Sequence, residues 1–102
     1  MRRITVIINP IAGVRPKNVI PGIVREVLPS DQFDVEICFT EYAGHASAIA
    51  KDAVERGIDS VIAIGGDGTV NETAKSLIGS ETALGIVPMG SGNGLARHIQ
   101  IP

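Results

Sequence analysis

Four apolar residues, Val61–Ile64, pass without a spacer into Gly65-Gly66-Asp67-Gly68-Thr69, and an amphipathic stretch follows at once. So short and so apolar a run reads as a strand covered on both faces, as in parallel sheets. The same pattern recurs along the chain. Ile4–Ile8 is a short β-branched run broken by Asn9-Pro10-Ile11-Ala12-Gly13. Residues from about Lys17 to Leu28 read as a helix, with Pro21 near its first turn, and Pro29-Ser30-Asp31 as a loop. Val35, Ile37 and Phe39 alternate with Glu36 and Cys38, which predicts a second, less buried strand. Ala46, Ile49, Ala50, Ala53 and Val54 share one helical face, closed by Gly57. Val70, Ala74, Leu77 and Ile78 form a further apolar stripe, closed by Gly79. Leu84–Val87 predicts a fourth strand, followed by Pro88-Met89-Gly90-Ser91-Gly92-Asn93-Gly94, after which Leu95–His98 opens another helix. Strands alternating with amphipathic helices predict a parallel sheet with right-handed crossovers.

Composition removes several other classes. The 102 residues suit one domain. With 44% apolar and 20% charged residues, the chain is too apolar to be disordered. A net charge of −2 offers no basic footprint for nucleic acid or an anionic membrane surface. No apolar run approaches the roughly 20 residues a membrane span needs. The apolar stretch after Arg2-Arg3 is too short for a signal peptide and stops at Asn9-Pro10. The single cysteine, Cys38, permits no internal disulfide, and no Cys/His cluster has zinc spacing. These features predict a cytosolic protein with Cys38 buried in a strand. Phe33, Phe39 and Tyr42 are too few and too local for a base-stacking platform for nucleic acid.

In a parallel sheet, ligands bind beyond the carboxyl ends of the strands. The segments to inspect are therefore Asn9–Gly13, Thr40–Gly44, Gly65–Thr69 and Pro88–Gly94. Glycines in Gly65–Thr69 allow positive φ and a close approach by a ligand, and the following helix start favours phosphate. Asp67 in that turn would repel phosphate unless a metal ion or a transferable proton is involved, which gives it a chemical role; otherwise it bonds local N–H groups in a tight turn. Thr69-Val70-Asn71-Glu72 matches a capping box, which explains Glu72 as well as a ligand role does. Gly90-Ser91-Gly92-Asn93 forms either a second anion cradle or a turn with Asn93 as helix cap. The P-loop pattern is absent, and Asn71 stands where the dinucleotide fingerprint needs its third glycine. His45 and His98 read as helix-end or surface residues, and Asp31, Asp34, Asp52 and Asp59 as solvated ones.

Four segments together resemble one family. They are Asn9-Pro10-x-x-Gly13, Thr40 with Gly44-His45-Ala46, Gly65-Gly66-Asp67-Gly68-Thr69-x-Asn71-Glu72, and Pro88-x-Gly90-Ser91-Gly92-Asn93-x-Leu95-Ala96-Arg97. In that order they are similar to the diacylglycerol kinase catalytic domain, a group that includes sphingosine and ceramide kinases and bacterial lipid kinases. The Gly-Gly-Asp-Gly turn also resembles, more distantly, NAD kinases and phosphofructokinases. The resemblance implies a three-layer α/β/α, Rossmann-like domain with a mainly parallel sheet. It further implies ATP-dependent phosphorylation of a lipid hydroxyl with Mg²⁺. Carried over, Asn9, Pro10, Gly13 and Thr40 contact the nucleotide; Gly65, Gly66, Asp67, Gly68 and Thr69 line the phosphates, with Asn71 and Glu72 beside them. Gly90, Ser91, Gly92 and Asn93 close the other side. Asp67 is the acid at the reacting centre, as base or as metal-shell ligand.

Members of the family are usually about three times longer and carry a β-rich second domain that helps bind lipid. The expectation is therefore that residues 1–102 are a truncated ATP-binding domain, with little kinase activity alone and an exposed half-cleft that favours a homodimer. The full-length protein would be cytoplasmic, or peripheral at a membrane. A kinase of another small hydroxyl compound such as NAD, and a non-catalytic nucleotide-binding module, are the alternatives.

Overall fold

The computed structural model describes residues 1–9 and 19–88. Over these the chain runs β1 (Arg2–Ile8), α1 (Val19–Val27), β2 (Phe33–Phe39), α2 (His45–Glu55), β3 (Ser60–Gly65), α3 (Asp67–Leu77) and β4 (Ala83–Pro88). The predicted alternation is present. The helix expected from Leu95 lies outside the described residues.

The four strands form one sheet in the order β2-β1-β3-β4, with every pairing parallel. β1 and β3 are central, and their sequences account for it. Ile4, Val6, Ile7 and Ile8 on β1 and Val61–Ile64 on β3 are almost wholly buried. Alternate residues face opposite layers. Ile4, Val6, Ile8, Ile62 and Ile64 pack with Val24 and Leu28 at α1. Ile7 and Val61 pack with Ala46, Ala50 and Ala53 of α2 and Leu77 of α3. Helices therefore cover both faces, α1 on one and the α2–α3 pair on the other. Ser47 Oγ and Ser76 Oγ meet at 2.8 Å where α2 and α3 touch.

The edge strands are less buried, as their positions require: Leu84 and Ile86 of β4 are exposed. On β2, Phe33, Val35, Ile37 and Phe39 face the core beside α1, while Asp34 and Glu36 are exposed. Gly57 and Gly79 end α2 and α3 in the left-handed region, at φ +71° and +80°, as helix-closing glycines do.

Three expectations need correction. The buried stripe of α3 is Thr69, Thr73 and Leu77, while Ile78 is 80% exposed. Two threonines can face inward because Thr73 Oγ1 donates to the Thr69 carbonyl at 2.8 Å and Thr69 Oγ1 accepts from Asn9. Cys38 is half-buried rather than buried, since β2 is an edge strand. Its Sγ lies 3.6 Å from Glu36 Oε1, and partial burial, then the Glu36 charge, push the thiol up to about 11. Finally, Gly65, Gly66 and Gly68 do not use positive φ; among the described residues that conformation belongs to Gly44, Gly57 and Gly79.

Candidate functional site

The strand order reverses between β1 and β3: β1 leads outward to β2, and β3 outward to β4. A crevice at the carboxyl ends of such a strand pair is where open α/β sheets bind ligands. Backbone bonds hold three strand ends together at that point. Asn9 N–H donates to the Ile64 carbonyl at 3.0 Å, and Thr40 N–H donates to the Ile8 carbonyl at 2.8 Å. Asn9 Nδ2 also donates to Thr69 Oγ1 at 3.2 Å. Asn9 thus bridges the end of β1 to the first turn of α3.

Gly65 makes that bridge possible. A Cβ at this position would lie 3.1 Å from both Thr69 Cβ and Oγ1, and 3.2 Å from Asn9 Cβ. α3 then starts at Asp67, with Gly66 as its N-cap at φ −84°, ψ −173° and no side-chain cap. The first intrahelical bond runs from Val70 N–H to the Gly66 carbonyl at 3.1 Å. The N–H groups of residues 67–69 are left without intrahelical partners, at the positive end of the helix dipole. The capping box of Thr69 with Glu72 is not formed. The helix begins earlier than that pattern assumed, so Thr69 is an internal, buried residue of its first turn. Asp67 is exposed at the head of α3 and, among the described residues, makes no hydrogen bond or ion pair.

A pocket of about 280 Å³ opens here, lined by Asn9, Thr40, Glu41, Tyr42, Ala43, Ala46, Gly68, Thr69 and Glu72. Five positions singled out in the sequence (Asn9, Thr40, Gly68, Thr69 and Glu72) therefore share one concavity. Gly65 lies buried under the Asn9–Thr69 bridge. Gly66, Asp67 and Asn71 are exposed and outside the lining. Pro10, Gly13, Gly90, Ser91, Gly92 and Asn93 lie outside the described residues. A second depression of about 310 Å³, touching Met1, Arg25, Phe33 and Asp34, lies at the amino ends of β1 and β2. It contains none of the expected site residues.

Glu41, Tyr42 and Ala43 fall in the segment Thr40–Gly44 and Ala46 in the Gly44-His45-Ala46 motif singled out from the sequence, but sequence reasoning gave none of the four a role in the site. Gly44, at φ +90°, turns the chain from β2 into α2, and His45 begins that helix. The His45 Nδ1 accepts the Glu41 N–H at 2.9 Å. The imidazole also stacks on the Tyr42 ring, with centroids 4.4 Å apart and planes 12° apart. The signal available in the sequence was the placement of Tyr42 in a post-strand segment, three residues before His45. Among the described residues, the charged side chains of the lining are Glu41 and Glu72, with no Lys or Arg. Among the described residues no group of three or more His, Cys, Asp or Glu is placed to hold a metal ion, and no helix is long and apolar enough to cross a membrane.

Comparison with known proteins agrees with this architecture. The chain is 34% identical over 107 residues to the diacylglycerol kinase of Bacillus subtilis, a match covering 100% of this chain and 34% of that protein. It is 38% identical over 78 residues to a Klebsiella pneumoniae protein named probable lipid kinase YegS-like, covering 74% of this chain and 26% of the relative. The chain thus spans about a quarter to a third of these relatives. Among solved structures, a diacylglycerol kinase of Bacillus anthracis superposes with a TM-score of 0.70 at 28% identity, covering 90% of this chain and 32% of that one. The family model for the diacylglycerol kinase catalytic domain matches residues 3–102. With that match over nearly its whole length and the parallel sheet to go with it, the chain belongs to the diacylglycerol kinase catalytic domain family.

Proposed function

We propose that this chain is the nucleotide-binding half of a lipid kinase that transfers the γ-phosphoryl group of ATP to a lipid hydroxyl. The observation that carries the reading is the convergence of Asn9, Thr40, Gly68, Thr69 and Glu72, from two strand ends and the first turns of one helix, on a single pocket. Phosphoryl transfer asks a protein mainly for positioning and charge neutralisation. The uncapped first turn of α3, preceded by Gly65 and Gly66, offers backbone N–H groups and a positive dipole end to phosphate. Asp67 stands exposed at that turn, able to accept the hydroxyl proton or to join a metal shell. Mg²⁺ in such sites takes one or two carboxylates and otherwise phosphate oxygens and water. The donor set of Asp67 with a bound polyphosphate fits that habit, and Mg²⁺ would supply neutralisation of phosphate charge. In the whole protein, the lipid would be recognised by the portion that the longer relatives possess, and the enzyme would work in the cytoplasm at a membrane surface.

Asp67→Asn in the longest natural form tests the reading. A kinase should lose turnover by about 10²-fold or more, and keep its ATP affinity within a few-fold. Unchanged lipid phosphorylation would remove Asp67 from the reacting centre. An NAD kinase would phosphorylate NAD rather than diacylglycerol or sphingosine, and a nucleotide sensor would have no turnover to lose. The 102 residues alone should bind ATP weakly and phosphorylate no lipid.

A further inference from the structure

The charged side chains that the described residues bring to the pocket are acidic. Glu41 and Glu72 line it, Asp67 stands exposed at the head of α3, and among the described residues no Lys or Arg belongs to the lining. Like charges close together are costly even in a partly wet site, so the polyphosphate is a poor occupant of the part lined by Glu41 and Tyr42. An uncharged planar group carrying N–H donors suits it well. Carboxylates accept from such donors, and Asn9 and Thr40 in the same lining offer further hydrogen-bonding groups.

Tyr42 supplies the flat surface. It is 61% exposed, yet one face of its ring is covered by the imidazole of His45. The imidazole is itself anchored through Nδ1 to the Glu41 N–H. A large exposed ring, held by a second ring that is held by the backbone, has lost much of its rotamer freedom before any ligand arrives. Its open face can then stack a base at low entropic cost. From these observations we propose that Tyr42, backed by His45, is the shelf against which the purine base of the nucleotide packs. The base lies between the shelf and the Glu41/Glu72 carboxylates, and the phosphates point away toward the α3 N-terminus. This assignment rests on the proposed nucleotide-binding function and adds to it a base-recognising residue.

The chain has no tryptophan, so Tyr42→Trp introduces a single fluorophore at the shelf. ATP should quench it, and inorganic tripolyphosphate, which has no base, should not. By calorimetry, Tyr42→Ala should weaken ATP by about 5- to 100-fold, the loss of one base–aromatic stack. Tyr42→Phe should hold the wild-type affinity, and tripolyphosphate should bind all three alike. If Tyr42→Ala binds ATP as tightly as wild type, the shelf is wrong and the nucleotide site stands. Equal weakening of ATP and tripolyphosphate overturns it too, because the ring would then be shaping the loop. If wild type binds neither ATP nor tripolyphosphate, both the shelf and the nucleotide site fall.

Discussion

Replacing Gly65 by alanine tests whether the switch point is built as tightly as its geometry states. The added Cβ would stand 3.1 Å from Thr69 Cβ and Oγ1 and 3.2 Å from Asn9 Cβ. Carbon pairs prefer about 3.5–4.0 Å, so the insertion is roughly 0.4 Å too close on two sides at once. Neither neighbour can yield freely: Thr69 is buried in α3, and Asn9 is tied by its N–H to Ile64. Overpacking of this kind costs about 1–3 kcal/mol. Spreading the pair would also break the Asn9–Thr69 bond, already 3.2 Å long, for about a further 0.5–1.5 kcal/mol. Position 65 lies outside the left-handed region, so alanine recovers about 0.4–1 kcal/mol through the unfolded chain. The balance is a loss of roughly 1–3 kcal/mol, read as a lower urea midpoint with unchanged slope. Gly68→Ala is the internal control. Nothing lies within 4 Å of a Cβ there, and the residue is inside α3, so alanine should stabilise by about 0.5–1 kcal/mol. Gly65→Ala as stable as wild type, or Gly68→Ala as damaging as Gly65→Ala, would refute the close-approach argument.

Three further outcomes follow from the same structure. Ser60 Oγ is buried with no hydrogen-bond partner among the described residues. Ser60→Ala should therefore be neutral or stabilising by up to about 1 kcal/mol in urea melts, whereas removal of a partnered hydroxyl would cost stability. Ile78→Ala should change stability by no more than about 0.5 kcal/mol, because Ile78 is 80% exposed, while Ile7→Ala in the core should cost about 2–5 kcal/mol. The Cys38 thiol, pushed up to about 11, should alkylate slowly at neutral pH, with a rate that climbs only as pH approaches that value; Glu36→Gln should move the climb to lower pH. Because its folded value lies above the ordinary 9.0, the stability linked to its protonation is fully present below pH 9 and is lost as pH rises toward 11.

The strands and most of the helix faces were legible because their causes are local. Ile4–Ile8 and Val61–Ile64 can be buried on both faces only at the centre of a covered sheet, and Gly57 and Gly79 end helices wherever they stand. α3 was less legible. Val70, Ala74 and Ile78 look like its apolar stripe, but the inward face carries Thr69 and Thr73. Nothing in the periodicity reveals that one threonine meets Asn9, 60 positions earlier, and the other bonds the carbonyl one turn back. The capping box failed for a similar reason: Gly66, with no side chain to offer, opened the helix before Thr69 could.

The sequence by itself determined the alternation of strands and helices, the parallel sheet and the glycine turns at the strand ends, since these depend on the side-chain period and on backbone freedom within a few residues. The tertiary structure alone decided the strand order β2-β1-β3-β4, and with it which turns become neighbours. That order brings Asn9, Thr40 and Thr69 to one crevice and sets the Tyr42–His45 stack at its wall. The meeting of Asn9, Thr40 and Thr69 is contact between segments far apart in the chain, fixed by the strand order, and no local pattern encodes it.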